Sequence, residues 1–205
     1  YAAGMTRADV LVIGGGAAGL MCAITSGQRG RKVIVLEGSN RIGKKILMSG
    51  GGRCNFTNLY CEPSNFLSHN PHFCKSALSR YTPHDFIALV EKHGIAYHEK
   101  TAGQLFCDVS SKDIVAMLQR ECDDSGVHIV TQCEIQSVSH EKEYQVDSAE
   151  GTFSSQSLVV ASGGLSIPKM GQRVLAMTLH GSLASRCSIP APGWCPSRSP
   201  AQCTT

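Results

Sequence analysis

The fold of this chain is decided by Asp9-Val-Leu-Val-Ile-Gly-Gly-Gly-Ala-Ala-Gly19. Residues 9–13 form a short apolar run of the kind that builds a strand buried in a parallel sheet. A glycine-rich turn follows without a gap, and Ala17–Gln28 then has a composition compatible with a helix. The stretch therefore predicts a strand, a tight turn and a helix in direct succession.

The three spaced glycines match those of a phosphate-binding turn, in which each has a different role. Gly14 permits the tight turn, Gly16 lets the main chain approach a pyrophosphate, and Gly19 lets the helix pack closely on the strand. Unpaired N–H groups and the dipole at the helix N-terminus favour an anion there. This element predicts five cofactor-binding residues: Gly14, Gly16, Ala17, Ala18 and Gly19.

A second apolar strand, Lys32-Val-Ile-Val-Leu36, ends in Glu37 at the distance expected for an acid that binds the adenosine ribose. A carboxylate there accepts hydrogen bonds from ribose hydroxyls and repels a 2′-phosphate. Glu37 and the neighbouring Gly38 are therefore predicted cofactor contacts. The alternative is an ordinary βαβ unit with a glycine-rich turn.

The next segment separates FAD from NAD. Gly38–Asn58 is predicted as a long, glycine-bearing loop where a plain dehydrogenase would begin its next crossover helix, and an extended cofactor needs such a loop. Glycine backbone amides and one guanidinium could reach phosphate or the flavin ring. The predicted contacts in this loop are Lys45, Ser49, Gly50, Gly51, Gly52, Arg53 and Asn55. The alternative is a flexible surface loop.

The middle of the chain predicts scaffold elements rather than sites. A Thr82 cap before Pro83 begins one helix, which Gly94 ends, and a second helix runs from about Ser111 towards Gly126. Residues 127–130 predict the next parallel strand. Three short antiparallel pieces follow, at residues 134–140, 144–147 and 151–153.

The apolar strand that begins at Ser157 runs into a small-residue turn, Ala161-Ser-Gly-Gly164. This turn is similar to the Ala-Thr-Gly element of glutathione-reductase-like flavoproteins, with Ser162 in place of Thr. Ala161, Ser162, Gly163 and Gly164 are therefore predicted to pass close to the cofactor. Together the three motifs favour FAD over NAD.

Two stretches resemble one family, the aminoacetone oxidase family of FAD-binding proteins, also called BaiN-like or YhiN-like NAD(P)/FAD-dependent oxidoreductases. They are Lys44-Lys-Ile-Leu-Met-Ser-Gly-Gly-Gly-Arg-Cys-Asn-Phe-Thr-Asn58 and Gly163-Gly-Leu-Ser-Ile-Pro168. The resemblance implies a Rossmann-like α/β domain of glutathione-reductase type with a parallel sheet, helices and a small antiparallel meander. It also implies that Ile135 lies near the adenine, with an ordinary strand residue as the alternative, and that NAD(P)H is the reductant.

The resemblance covers residues 5–171, and we interpret residues 1–171 as the N-terminal part of the FAD-binding domain. Residues 172–205 are interpreted as an out-of-frame tail, because a one-base shift near Gly171 restores family-like sequence in three stretches. The domain would then be incomplete, and we expect this chain to be unstable or to bind FAD weakly. A natural low-complexity tail is the alternative.

Composition limits the remaining function classes. The formal charge is only +3, and the basic residues are scattered, which predicts a small-molecule substrate and no nucleic-acid partner. No apolar run reaches the roughly 18 residues of a membrane span, so we expect a cytoplasmic protein. The ten cysteines follow no metal or disulfide pattern, which predicts free thiols and no metal site. The oligomeric state is left open.

The predicted function is a flavin-dependent oxidoreductase in which the flavin carries the redox chemistry. Arg53 and Cys54 are the candidate residues at the flavin, although a buried structural thiol is the favoured interpretation of Cys54 because no resolving cysteine stands at Cys-x-x-Cys spacing. Two other functions stay open: an NAD-dependent dehydrogenase, and an inactive, truncated remnant of a flavoenzyme.

Overall fold

The computed structural model describes residues 5–163, and these fall into two units. The first unit contains residues 5–48 and 115–163, and the second contains residues 49–114. The predicted glycine turn and Glu37 lie in the first unit. The Ser49–Gly52 segment and the two candidate residues Arg53 and Cys54 lie in the second.

The first unit is built on a six-stranded sheet with helices. Its elements are β1 (Thr6–Ile13), α1 (Ala17–Gln28), β2 (Val33–Leu36), α2 (Lys44–Met48), most of α5 (Ser111–Asp124), β6 (His128–Val130), β7 (Ile135–His140), β8 (Tyr144–Ser148) and β9 (Gly151–Val160). The strand order is β6-β2-β1-β9-β8-β7. The four strands β6, β2, β1 and β9 pair in parallel, whereas β9, β8 and β7 pair antiparallel. The predicted Rossmann-like α/β class, with a small antiparallel meander, is confirmed.

The core of this unit follows from its apolar strands. All four residues of β2 are buried, as are the last three residues of β1, so both strands are enclosed on both faces, as expected in a parallel sheet. One face continues into the meander through a single cluster of buried side chains. The cluster contains Ala8, Leu11, Ile13, Ile34, Leu36, Cys133, Val138, Val146 and Phe153.

One predicted boundary in this unit is wrong. Residues 151–153 and the apolar strand that begins at Ser157 are one continuous strand, β9. Its first half pairs antiparallel with β8, and nearly its whole length pairs parallel with β1, from Phe153 opposite Thr6 to Val160 opposite Ile13. The polar serines in its middle, Ser154 and Ser155, are buried between these two neighbours.

The second unit carries a three-stranded antiparallel sheet in the order β3-β5-β4. Its elements are a 3₁₀ turn at Ser49–Gly52, β3 (Asn55–Asn58), a short turn at Pro63–Asn65, α3 (Lys75–Arg80), α4 (Pro83–Lys92), β4 (Tyr97–Glu99), a turn at Thr101–Gly103 and β5 (Gln104–Cys107). The predicted long loop over Gly38–Asn58 is therefore wrong in its second half, which forms α2, a 3₁₀ turn and β3.

The helix ends follow the local sequence. Thr82 caps α4 by accepting a hydrogen bond at Oγ1 from the Asp85 N–H, while the Asp85 carboxylate accepts from the Thr82 N–H at 2.7 Å. This reciprocal pair satisfies N–H groups that a helix start otherwise leaves unbonded. Gly94 adopts a φ of 65° just beyond the helix, as a glycine stop requires. The predicted start and stop of α4 are confirmed.

Candidate dinucleotide-binding site

The glycine turn joins the carboxyl end of β1 to the start of α1 with almost no spare room. Gly14 has a φ of 106°, and its N–H donates to the Leu36 carbonyl at 2.9 Å. A Cβ at Gly14 would lie 2.5 Å from the Ala161 carbonyl oxygen, and one at Gly19 would lie 1.9 Å from the Gly14 carbonyl oxygen. Both positions therefore require glycine for steric reasons.

Gly16 differs from its neighbours because a Cβ there would meet nothing within 4 Å. It stands at the N-cap of α1, where no side chain caps the helix, and the next two residues, Ala17 and Ala18, are exposed. The first-turn N–H groups of α1 thus face open space in front of a small-residue surface. This arrangement is suited to a phosphate group bound by main-chain amides.

Glu37 lies at the carboxyl end of β2, where its carboxylate is held by two backbone N–H groups. Oε2 accepts from Gly15 at 2.7 Å, and Oε1 accepts from Ser39 at 2.8 Å. The side chain is half-buried, and each oxygen keeps lone pairs for a further donor. The carboxylate of Glu37, the residue predicted to contact a ribose, is therefore fixed beside the glycine turn.

Two glycines that were not among the predicted contacts help to hold this arrangement. Gly15 is buried, and its carbonyl accepts from the Gly43 N–H at 2.8 Å. Gly43 has a φ of 67°, which favours glycine. The Gly-x-Gly spacing locates this turn, but it does not reveal that the Gly15 N–H donates to Glu37.

The turn after β9, which the sequence predicts to pass close to the cofactor, runs next to the glycine turn. The Ala161 N–H donates to the Ile13 carbonyl at 2.8 Å, and Ala161 and Ser162 together crowd the Cα of Gly14. Gly163 has a φ of 81°. Gly164 lies outside the described residues.

Three other predicted contacts lie in the first unit. Gly38 directly follows Glu37, and a Cβ there would lie 3.7 Å from the Cys133 carbonyl oxygen. Lys45 lies within α2, and Ile135 begins β7, where it packs against the buried cluster of the sheet. The structure places Glu37 beside the glycine turn, and it gives Ile135 a contact with the core.

In the second unit, Ser49–Gly52 forms a tight turn in which three consecutive glycines have positive φ angles: 56° at Gly50, 65° at Gly51 and 89° at Gly52. A Cβ at Gly50 would lie 2.7 Å from Cε1 of Phe106, whereas Gly51 and Gly52 face open space. Such a turn presents main-chain N–H groups that side chains do not cover. Arg53, the next residue, is exposed.

Cys54 continues this turn with a φ of 52°, although it is not a glycine, and its thiol is buried. Burial raises the pKa of the Cys54 thiol, an effect that a hydrogen bond with Ser49 partly offsets. Cys107 belongs to β5, which pairs with β3, and its N–H donates to the Arg53 carbonyl at 2.9 Å. Burial, followed by the nearby Cys54, raises the pKa of Cys107 to about 12. Both thiols are therefore held in the protonated form and are not activated as thiolates. The last predicted contact of this segment, Asn55, is half-buried within β3.

A family model described as "HI0933-like protein Rossmann domain" matches residues 8–190. The chain belongs to this family. The match extends beyond residue 171, where the resemblance seen in the sequence ends. The finer family name, aminoacetone oxidase, stays a prediction for this HI0933-like chain.

Curated relatives include two proteins named "Ribosomal RNA dihydrouridine synthase". The Escherichia coli (strain K12) protein is 53% identical over 168 residues, which are 82% of this chain and 42% of that protein. The Haemophilus influenzae protein is 49% identical over 168 residues, or 78% and 41% of the two chains. A "3-dehydro-bile acid delta(4,6)-reductase" of Clostridium scindens is 26% identical over 164 residues, or 78% and 40%. The chain thus spans about two fifths of the length of these relatives.

Solved structures share the fold at low identity. A glycine oxidase from Geobacillus kaustophilus aligns with a TM-score of 0.58 and 19% identity, over 78% of this chain and 56% of that one. A 3-ketosteroid-delta4-(5alpha)-dehydrogenase from Rhodococcus jostii aligns with a TM-score of 0.57 and 16% identity, over 78% and 46%. By their names both are oxidoreductases, so the fold is one that oxidoreductases use.

Residues 5–163 contain neither a candidate membrane span nor a candidate metal cluster. No helix in this part of the chain is long and apolar enough to cross a membrane. Within the same residues, no group of three or more His, Cys, Asp or Glu side chains is placed to hold a metal ion. The described cysteines are free thiols: Cys22, Cys54, Cys61, Cys74, Cys107, Cys122 and Cys133.

Proposed function

We propose that this chain is the N-terminal, FAD-binding portion of a flavin-dependent reductase that saturates a carbon–carbon double bond conjugated to a carbonyl. The single observation that carries the proposal is the pairing of the open Gly16 turn with the fixed Glu37 carboxylate at adjacent strand ends. One element suits a pyrophosphate and the other an adenosine ribose.

The residues present fit FAD. Gly16, Ala17 and Ala18 would hold the pyrophosphate through main-chain N–H groups, because a side chain at Gly16 would project into the space in front of α1. Glu37 would accept from the ribose hydroxyls. In the second unit, the Gly51 and Gly52 amides and the exposed Arg53 guanidinium are our candidates for contacts with the flavin or phosphates.

Bound FAD supplies the hydride chemistry that protein side chains lack, with NAD(P)H as the proposed reductant. The protein positions the substrate, excludes water and provides donors near the ring. Cys54 is better suited to a packing role than to proton or electron transfer, because its pKa is raised by burial. Arg53 is therefore the stronger of the two candidate residues.

The reaction class is supported by the names of the relatives. Forming dihydrouridine adds two hydrogens across a double bond conjugated to a uracil carbonyl, and a delta(4,6)-reductase acts on double bonds of a 3-dehydro steroid. Both reactions require a hydride at one carbon and a proton at the other. A uridine in RNA is the first substrate to test on this basis, ahead of the small molecule predicted from composition.

The cofactor is tested by the absorption spectra of two purified proteins: this chain, and a version with the reading frame restored after residue 171. Flavin bands that fade on addition of NADH or NADPH support the proposal. Nicotinamide binding without flavin bands would favour the dehydrogenase alternative, and neither signal in either protein would favour the inactive remnant. The substrate is then tested by digesting RNA after incubation and measuring dihydrouridine by mass spectrometry.

A further inference from the structure

A surface of the second unit combines basic charge with exposed rings. Residues 63–84 contain no aspartate or glutamate, although acidic residues stand just outside, at Glu62 and Asp85. The same stretch contains two permanent cations and three imidazoles. These are Lys75, Arg80, His69, His72 and His84, and all five side chains are exposed.

Each end of helix α3 carries one aromatic ring and one cation. A ring and a cation stand at its start, Phe73 with Lys75, and again at its end, Arg80 with Tyr81. Phe73 is 53% exposed and Tyr81 is 43% exposed, and α3 itself buries no residue. Phe66 packs edge-on against Phe73, with ring centroids 6.4 Å apart, and thereby restrains the Phe73 ring at the surface.

Exposed rings that stand beside cations suit a single-stranded nucleic acid. Successive bases stack on aromatic side chains, while basic groups track the phosphates, and neither contact depends on base identity. The absence of aspartate and glutamate from residues 63–84 limits repulsion of the phosphate backbone. The scattered charge of the whole chain conceals this local pattern, because the remaining acidic and basic residues are interspersed elsewhere.

We propose that the α3 surface, defined as Phe73, Lys75, Arg80 and Tyr81, binds the single-stranded RNA that carries the target uridine. Phe73 and Tyr81 stack on bases, while Lys75 and Arg80 contact phosphates. The inference rests on the proposed function, which supplies uridine in RNA as the substrate to test. It adds the surface that holds the RNA, at residues remote in sequence from the Gly14–Gly19 turn.

The test measures binding of a fluorescein-labelled oligouridylate by anisotropy over a range of salt concentrations. The double variant Lys75→Ala/Arg80→Ala is expected to lower the slope of log K against log salt by about 1.4, or about 0.7 per phosphate contact. The double variant Phe73→Ala/Tyr81→Ala is expected to weaken binding by at least about tenfold without changing that slope. Phe73→Tyr and Tyr81→Phe, which keep the rings, are expected to bind like the parent protein.

Two substitutions outside the surface serve as matched controls: Lys112→Ala for the cations and Val109→Ala for the apolar residues, since both positions are exposed. Neither should alter RNA affinity or salt slope. Equal binding by all variants would overturn the proposal, as would failure of the parent protein to bind RNA. A lowered melting temperature with unchanged RNA affinity would also overturn it and would show that the surface packs against another part of the protein.

The failure of this inference is distinguishable from failure of the proposed function. Flavin bands and NAD(P)H oxidation are measured without RNA, so they report on the cofactor alone. If those signals persist while RNA does not bind, the α3 surface is rejected and the flavoprotein assignment stands. If RNA binds with the expected signatures but neither this chain nor the frame-restored version shows flavin bands, the surface stands and the reductase function is rejected.

Discussion

The carboxylate of Glu37 accepts a hydrogen bond of 2.7 Å from the N–H of Gly15, which lies 22 residues earlier in the chain. This contact ties the end of the second strand to the glycine turn after the first. The Glu37 carboxylate keeps further lone pairs, which can accept hydrogen bonds beside the space in front of α1.

Glu37→Gln is expected to raise the FAD dissociation constant by about tenfold or more, because a hydrogen bond to a charged group contributes about 1.5–3 kcal/mol. Fluorescence titration of the apoprotein with FAD measures the change. Glu99→Gln, a change at an exposed carboxylate of the second unit, serves as the control and should leave the affinity unaltered. Unchanged affinity in Glu37→Gln would remove the ribose contact from the proposal.

Gly16→Ala and Gly19→Ala are expected to separate binding from folding. A methyl group at Gly16 enters open space and should leave the melting temperature nearly unchanged while it obstructs the pyrophosphate. A methyl group at Gly19 would lie 1.9 Å from the Gly14 carbonyl oxygen, so the turn must deform and the melting temperature must fall. Thermal unfolding and FAD titration of both variants test this. A Gly16→Ala protein with parental FAD affinity would contradict the prediction.

The first βαβ unit could be predicted from sequence because its signals are local. An apolar run, three spaced glycines and an acid at the end of the next strand occur within 29 residues, and the structure places them together. The N-terminal boundary of α4 was equally predictable, since Thr82, Pro83 and Asp85 form a capping pattern that depends only on neighbours in sequence.

The strands of the second unit could not be predicted, because their signals are not local. Asn55–Asn58 is half-buried along its whole length and lacks alternation, and it becomes a strand only by pairing with β5, about 50 residues later. The polar run Ser154–Ser157 predicted a break between two strands, whereas β9 is continuous there. It is held in strand form by neighbours on both sides, β1 and β8, which the sequence pattern does not reveal.

Asp147 gives a pH-dependent prediction in the meander. Its carboxylate accepts hydrogen bonds from Ser137 at 2.7 Å, Gln145 at 3.1 Å and Thr152 at 2.9 Å, and these donors lower its pKa below the ordinary value of 3.8. A pKa that is lower in the folded protein adds stability above about pH 4, which is lost as the pH falls towards the folded-state value. The difference in melting temperature between the parent and Asp147→Asn should therefore be largest at neutral pH and should shrink below about pH 4. A difference that does not vary with pH would contradict this reasoning.

Thiol reactivity provides the last prediction, because the described cysteines differ in burial. Burial raises the pKa of Cys107 to about 12 and that of Cys122 to about 11, so at about pH 8 both thiols remain almost wholly protonated as well as enclosed. Iodoacetamide at that pH should therefore label native Cys107 and Cys122 far more slowly than half-buried Cys61. Peptide mass spectrometry after a timed quench measures each rate, and the same treatment in urea should make the three rates similar. Fast labelling of native Cys107 would show that the β3–β5 pairing opens readily, and it would make Cys54, beside it, a candidate redox thiol again.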